Sequence, residues 1–288
     1  MKYPLELEIT DYCWLKCIYC PNKNYKKHFY LNKNVFYKII DYIYLNKDNI
    51  LFLDLSWIWD IFLHPNINDF LLYIFHKFKN TWLEVLIPTK WVAVTDKNLE
   101  ILKRIYKEWL KFNLSIWIYS LIENKHNKMT WIKSFRKTID FLKKLKNNNL
   151  PFSLELLINR NSIKELDYFY KFGEKLWVNY KVHNYHNFWG SIEWDNLEKY
   201  NLNTYKLKCS FADDETYELD FYCKYTLPFF SSNWYLYSCS HWGKQERYKT
   251  ENILYLIDKY PNYLDLLEYV KSKLNKKICD KCTYYKYN

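Results

Sequence analysis

Strand-like and helix-like stretches alternate along the first two thirds of the chain. Leu5–Thr10 (Leu-Glu-Leu-Glu-Ile-Thr) alternates apolar and polar residues, the period of a half-buried strand. Ile50–Ser56, Leu83–Pro88, Phe112–Ile118, Phe152–Ile158 and Val178–His183 are further runs of strand length. Between them lie helical patterns at Asn34–Leu45, Ile67–Phe78, Asp96–Tyr106, the long Lys-rich Met129–Leu145, and Ser162–Lys175. This alternation predicts an α/β fold, a parallel sheet closed fully or partly into a barrel of six strand–helix units. Around Ser191–Asn203 the pattern weakens into polar residues. That places a core domain at 1–200 and a small cysteine-rich α+β domain at 201–288. In the latter, Asn233-Trp234 before Tyr235–Ser238 reads as a hairpin turn, and Tyr263–Leu274 as a helix.

Composition narrows this frame. Of the 288 residues 49% are hydrophobic, enough for a sizeable core. The sequence holds no apolar run of membrane-spanning length, so no membrane partner is expected. The first strand begins almost at the first residue, so no export signal is expected. Eight cysteines in such a chain favour metal ligation over disulfides, and the expected compartment is cytoplasmic and oxygen-poor. The formal charge is +11, which by itself would suggest a nucleic-acid partner. Against that, Arg is confined to Arg104, Arg136, Arg160 and Arg247, and the lysines are scattered. Recognition of phosphate and base edges favours clustered Arg. The lysines are better read as a solvated surface.

The densest chemistry lies just after the first strand, in Asp11-Tyr-Cys-Trp-Leu-Lys-Cys-Ile-Tyr-Cys20. Cys13, Cys17 and Cys20, spaced C-x3-C-x2-C, can hold three irons of a [4Fe-4S] cubane and leave the fourth open to substrate or cofactor. A zinc site would want a fourth ligand and usually C-x2-C pairs. The run resembles the signature of the radical S-adenosylmethionine (SAM) enzymes, including the aromatic Tyr19 before the last cysteine. The resemblance implies a partial (β/α)6 TIM-like barrel with the cluster loop at its C-terminal edge. It also implies that SAM chelates the open iron and is reductively cleaved to a 5′-deoxyadenosyl radical, which abstracts hydrogen from a substrate. A flavodoxin- or ferredoxin-type electron donor follows from the same resemblance.

Further positions fit the family pattern. Ser56-Trp57-Ile-Trp59-Asp60 stands where these enzymes hold the SAM amino group with a glycine-rich loop and an acidic residue, usually Glu. A helix-capping role for Asp60 is the plainer alternative. Ser115 and Arg160 fall near positions that contact the SAM ribose and carboxylate; a carboxylate suits a bidentate cation. His64, in Leu63-His-Pro65, reads as structural. Near the C-terminus, Cys223 and Cys239 with Cys279 and Cys282 resemble the SPASM/Twitch domains, which implies an auxiliary [4Fe-4S] cluster. Zinc on the same four cysteines is the rival. Cys209 reads as a free thiol, with replacement of one ligand or contact with substrate as its alternatives, and His241 as a turn residue, with proton acceptor as its alternative.

Together these features imply a radical SAM oxidoreductase or maturase with a small-molecule or peptide substrate. The leading class is oxidation or cross-linking of a peptide or protein side chain; dehydrogenation or epimerisation of a sugar stands beside it. Two other readings remain open: a zinc-stapled, Lys-rich RNA-binding protein without redox chemistry, and a radical SAM enzyme that modifies RNA.

The tryptophans depart from any ordinary composition. There are 13 Trp and 3 Gly, whereas glycine averages about 7%. Trp57, Trp59, Trp91, Trp131, Trp189 and Trp234 stand where the family pattern or turn chemistry calls for glycine. The sequence therefore suggests a gene in which UGA encodes glycine, translated here as tryptophan. Trp14, Trp82, Trp109, Trp117, Trp177, Trp194 and Trp242 fall under the same suspicion.

Overall fold

The structure, a computed structural model, describes residues 2–17, 20, 28–55, 60–91, 93–108, 111–158, 162–184, 229–237 and 249–273. Six strands appear in the expected order: β1 (Tyr3–Leu7), β2 (Ile50–Asp54), β3 (Glu84–Thr89), β4 (Phe112–Ile118), β5 (Phe152–Ile158) and β6 (Asn179–Asn184). Each is parallel to its sequence neighbour. The crossovers carry α1 (Lys33–Leu45), α2 (Ile67–Phe78), α3 (Asp96–Lys107), α4 (Glu123–Thr130), α5 (Phe135–Asn147) and α6 (Leu166–Leu176). Strand order 6-5-4-3-2-1 runs without reversal. Crossovers of one hand therefore place the helices on one face and leave the other to line an interior.

Three more strands extend the sheet past β1. β7 (Phe229–Phe230) pairs parallel with β1; β8 (Tyr235–Tyr237) and β9 (Lys249–Asn252) continue antiparallel. Two helices follow, α7 (Ile253–Lys259) and α8 (Tyr263–Ser272). The expected boundary at Ser191–Asn203 lies outside the described residues.

Local signals explain the elements. In α2, Ile67, Phe70, Leu71, Ile74, Phe75 and Phe78 are all buried, an i, i+3, i+4, i+7 stripe. α3 opens with a capping box in which Thr95 and Asn98 satisfy each other's backbone N–H groups. Phe36 of α1 stacks on Phe70 of α2, with centroids 3.8 Å apart. Glu8, just past β1, ties in the C-terminal strands: its Oε1 accepts from Ser231 Oγ (3.0 Å), Ser232 N–H (3.0 Å) and Ser232 Oγ (2.6 Å).

Two expectations need correction. The first strand begins at Tyr3 and ends at Leu7, and Thr10 makes only an isolated bridge to Tyr30. The long helix Met129–Leu145 is two helices, α4 and α5, broken at Trp131. Trp131 sits in the left-handed region (φ 60°, ψ 13°), which the helical period could not reveal.

That break belongs to a pattern. Among the described residues, the non-glycine positions with positive φ are Trp91 (57°), Trp131 (60°), Asn149 (52°), Trp177 (56°) and Trp234 (71°). α5 and α6 end alike. Leu150 N–H bonds Leu145 C=O and Asn149 N–H bonds Lys146 C=O; Val178 N–H bonds Gly173 C=O and Trp177 N–H bonds Glu174 C=O. Both are Schellman motifs, whose left-handed residue is usually Gly and sometimes Asn. One carries Asn149, the other Trp177. At the β7–β8 turn, Trp234 N–H bonds Ser231 C=O while Ser231 N–H bonds Tyr235 C=O. This is a three-residue hairpin loop whose left-handed position favours Gly.

Candidate active site

The loop that follows β1 carries the cysteine run to the C-terminal edge of the sheet. Cys17 is buried and Cys13 and Cys20 are half-buried. The three pack in one cluster with Leu15, Tyr119, Met129, Ile132 and Leu157. Lys16 N–H donates to Thr130 C=O (3.3 Å) and Cys20 N–H to Cys17 C=O (2.9 Å), which fixes the loop against α4. Burial raises the Cys13 thiol far above its ordinary range, and the neighbouring Cys17 and Asp60 push the same way. Burial likewise pushes Cys17 up to about 11, opposed by a bond to Tyr119. Thiols held this way give up their protons to a metal.

Asp60 follows β2 and opens a short 3-10 turn, Ile61–Leu63. Its Oδ1 accepts from Phe62 N–H (3.3 Å) and from Thr89 Oγ (2.9 Å) at the end of β3. Oδ2 is buried without a hydrogen-bond partner. Burial raises its carboxyl to about 6, with Thr89 and Phe62 opposing. The capping role weighed from sequence is therefore real, but it uses one oxygen. The second oxygen is buried with no hydrogen-bond partner, and only the Ala93 backbone and the Lys90 charge add to the stabilisation of the carboxylate, so a cationic ligand suits it.

Lys90 follows Thr89 and is 7% exposed. Burial lowers its pKa, opposed by Cys17, Cys13, Glu155 and Asp60. Ser115 on β4 donates to Glu155 on β5, so its hydroxyl proton is engaged within the sheet. Tyr119, just past β4, is buried and lies 3.6 Å from Cys17 Sγ. The ends of β1, β2, β3 and β4 thus deliver thiols, a carboxylate, an ammonium and a phenol to one place.

Among the described residues no group of three His, Cys, Asp or Glu side chains is arranged to hold a metal ion. Three thiols packed in one cluster, beside a carboxylate oxygen without a hydrogen-bond partner, are donors of the kind an iron–sulfur cluster with a cationic cofactor takes.

Solved structures of similar shape decide the fold. SuiB of Streptococcus suis bound to S-adenosylmethionine superposes with TM-score 0.69 at 17% identity, over 99% of this chain and 72% of that one. The fold is that of the radical SAM enzymes. SuiB bound to its precursor peptide SuiA matches at TM-score 0.65 and 15% identity, over 88% of this chain and 63% of that chain. The anSMEcpe radical SAM enzyme with bound AdoMet and the Cp18Cys peptide gives 0.66 at 14%, over 98% and 87%. No family model and no curated protein matches the chain.

Of the residues singled out from sequence, the structure brings together Cys13, Cys17, Cys20 and Asp60, with Ser115 deeper on β4. His64 is buried, with Nε2 bonded to Leu31 C=O and Nδ1 accepting from Asn66 N–H, a structural part as expected. Tyr19, Trp57, Trp59, Arg160, Cys209, Cys223, Cys239, His241, Cys279 and Cys282 lie outside the described residues. Sequence reasoning missed Thr89, Lys90, Tyr119 and Glu155. A polar Thr-Lys pair ending β3 was the one available signal.

Proposed function

We propose that this chain is a radical SAM oxidoreductase or maturase, with a [4Fe-4S] cluster on Cys13, Cys17 and Cys20. The observation that carries the reading is the C-x3-C-x2-C triplet gathered at the C-terminal end of β1 beside the orphaned Oδ2 of Asp60. With cluster and SAM bound, one electron cleaves SAM to methionine and a 5′-deoxyadenosyl radical, which takes one hydrogen atom from substrate. The three thiols would hold the cluster. Asp60 Oδ2 would accept from the SAM ammonium, with Thr89 and Phe62 N–H fixing the carboxylate. Tyr19 and the 56–59 loop would frame the cofactor, Ser115 its ribose, and Arg160 its carboxylate. Cys223, Cys239, Cys279 and Cys282 would bind an auxiliary [4Fe-4S] cluster in a SPASM/Twitch-like domain at 201–288.

Three of the similar structures have peptides named as bound, which supports a peptide or protein side chain as substrate, oxidised or cross-linked. BtrN in complex with AdoMet and 2-DOIA, at TM-score 0.52 and 11% identity, shows a small molecule beside AdoMet in the same fold, and dehydrogenation or epimerisation of a sugar stays as the second class. A flavodoxin- or ferredoxin-type donor and an oxygen-poor cytoplasm belong to the same proposal. No helix among the described residues is long and apolar enough to cross a membrane.

The reading includes glycine at the tryptophan positions. Four tryptophans at positive φ, two of them in motifs that elsewhere use glycine, support it. Gene sequencing tests it directly: UGG codons at these positions would end the idea.

Iron and sulfide per chain, on glycine-restored protein reconstituted without oxygen, test the enzyme. About eight irons mean two cubanes, and about four mean the first site alone. Zinc with almost no iron overturns the proposal in favour of a metal-stapled binding protein. Retained tRNA with steep salt dependence would redirect the substrate to RNA.

A further inference from the structure

Two buried side chains beside the thiols have no role in holding cluster or cofactor. Tyr119 sits against Cys17 with its oxygen 3.6 Å from Sγ. It is 7% exposed and bounded by Met129, Leu15 and the ring of His126, with ring centroids 5.9 Å apart. Once Cys17 ligates iron as a thiolate it has no proton, so the phenol must be the donor. Lys90 is a long cation buried where solvent cannot screen it. Its ammonium lies 5.7 Å from the ring centroid of Tyr119 and is within electrostatic reach of Cys17, Cys13, Glu155 and Asp60. It also lies 4.1 Å from the Trp117 ring centroid. A glycine at 117 would remove that cation–π contact and leave the one to Tyr119.

We propose that Tyr119 and Lys90 are positioning residues that set the reduction potential of the cluster on Cys13, Cys17 and Cys20. Tyr119 does so by donating a hydrogen bond to the Cys17 sulfur, Lys90 by placing a buried positive charge beside the thiolates. Both withdraw electron density from sulfur and favour the reduced cluster. Hydrogen bonds to the sulfurs and local charge are the levers by which a protein tunes such a centre. Two groups, one just past the end of β4 and the other just past the end of β3, act on the same sulfur. The arrangement therefore controls the ease of loading the one electron that the chemistry consumes.

The inference rests on the proposed cluster, and the test separates the two. The full-length protein is reconstituted, its iron counted, and the potential of the SAM-responsive EPR signal titrated with dithionite and mediators. That signal belongs to the open-iron cluster, so an auxiliary cluster does not confuse the readout. Tyr119→Phe and Lys90→Met are each expected to lower the potential at unchanged iron content. Lys90→Arg should restore it, and Arg104→Met on the surface should leave it in place. Full iron with unshifted potentials overturns the inference. Loss of iron in Lys90→Met, rescued by Arg, assigns Lys90 to assembly and overturns its tuning role. Failure of the unmodified protein to bind iron refutes the proposed function instead.

Discussion

The left-handed tryptophans make a thermodynamic prediction that needs no cofactor. Trp177 closes α6 at φ 56° and is 91% exposed, so its indole adds little burial. Replacing it by either Ala or Gly removes the same indole, and the comparison between the two isolates the backbone. Ala keeps the left-handed cost of about 1–2 kcal/mol, because its Cβ still crowds the following carbonyl. Gly removes that cost but adds about 0.4–1 kcal/mol of unfolded-state entropy. Trp177→Gly should therefore be more stable than Trp177→Ala, by about 0.8 kcal/mol at the middle of these ranges and by up to about 1.6. Trp82 supplies the opposite case. It is half-buried, with the Lys2 ammonium 3.2 Å over its ring, and is not among the positive-φ residues. There Gly should be less stable than Ala by about 0.4–1 kcal/mol. The sign of the Gly–Ala difference inverts between the two sites. Urea unfolding of the four variants, with m-values checked for constancy, measures it. A Trp177→Gly protein less stable than Trp177→Ala would refute the argument that this position wants glycine. Asn149 closes α5 at φ 52° in the same motif and sets the scale for a residue that tolerates the conformation.

Three further outcomes are expected. Asp60→Asn should keep its iron but bind SAM about 10–100-fold more weakly by calorimetry, the loss of a charged hydrogen bond worth about 1.5–3 kcal/mol. Folding stability should fall as pH drops from about 6.5 to about 4. Burial lowers both His64 and His126 to about 4, so between those limits the unfolded chain binds two protons that the folded one refuses; Asp60, raised to about 6, works the other way and offsets about one of the two. Replacing both histidines with uncharged residues should remove that fall in denaturant titrations; an unchanged slope would assign it elsewhere. Glu8→Ala strands three buried donors and should cost about 2–4 kcal/mol, whereas Glu8→Gln, which keeps an accepting oxygen, should cost clearly less.

The layered pattern of the core was legible because periodicity encodes burial directly. Phe112–Ile118 and Phe152–Ile158 are strands at the limits read from their apolar runs, and Ile67–Phe78 is a helix at its stated limits. The helix read as Met129–Leu145 failed for a physical reason. Apolar spacing tells which face is buried but not which φ each residue takes. Trp131 satisfies the spacing while breaking the ladder. The signal that would have marked the break, a glycine, is the residue this sequence lacks. The extension of the sheet by β7 beyond β1 was also hidden. A two-residue strand has no period, and its partner lies more than 200 residues away in sequence.

The site divides along a similar line. Cys13, Cys17 and Cys20 were legible as a candidate site because residues gathered on one loop leave a fixed spacing in sequence. Lys90, Thr89, Tyr119 and Glu155 leave none: they arrive from separate strands, and only the parallel sheet aligns their ends. Asp60 belongs to both classes. Its place in a loop suggested a cap and a cofactor contact as alternatives; Oδ1 takes the cap and a bond from Thr89, while Oδ2 has no hydrogen-bond partner. A carboxylate used only for capping has no reason to hold its second oxygen buried and unpaired, where desolvation is costly. That unmet demand argues for a cationic ligand at this position independently of the cysteine spacing, and it would persist if the four left-handed tryptophans all proved to be glycine.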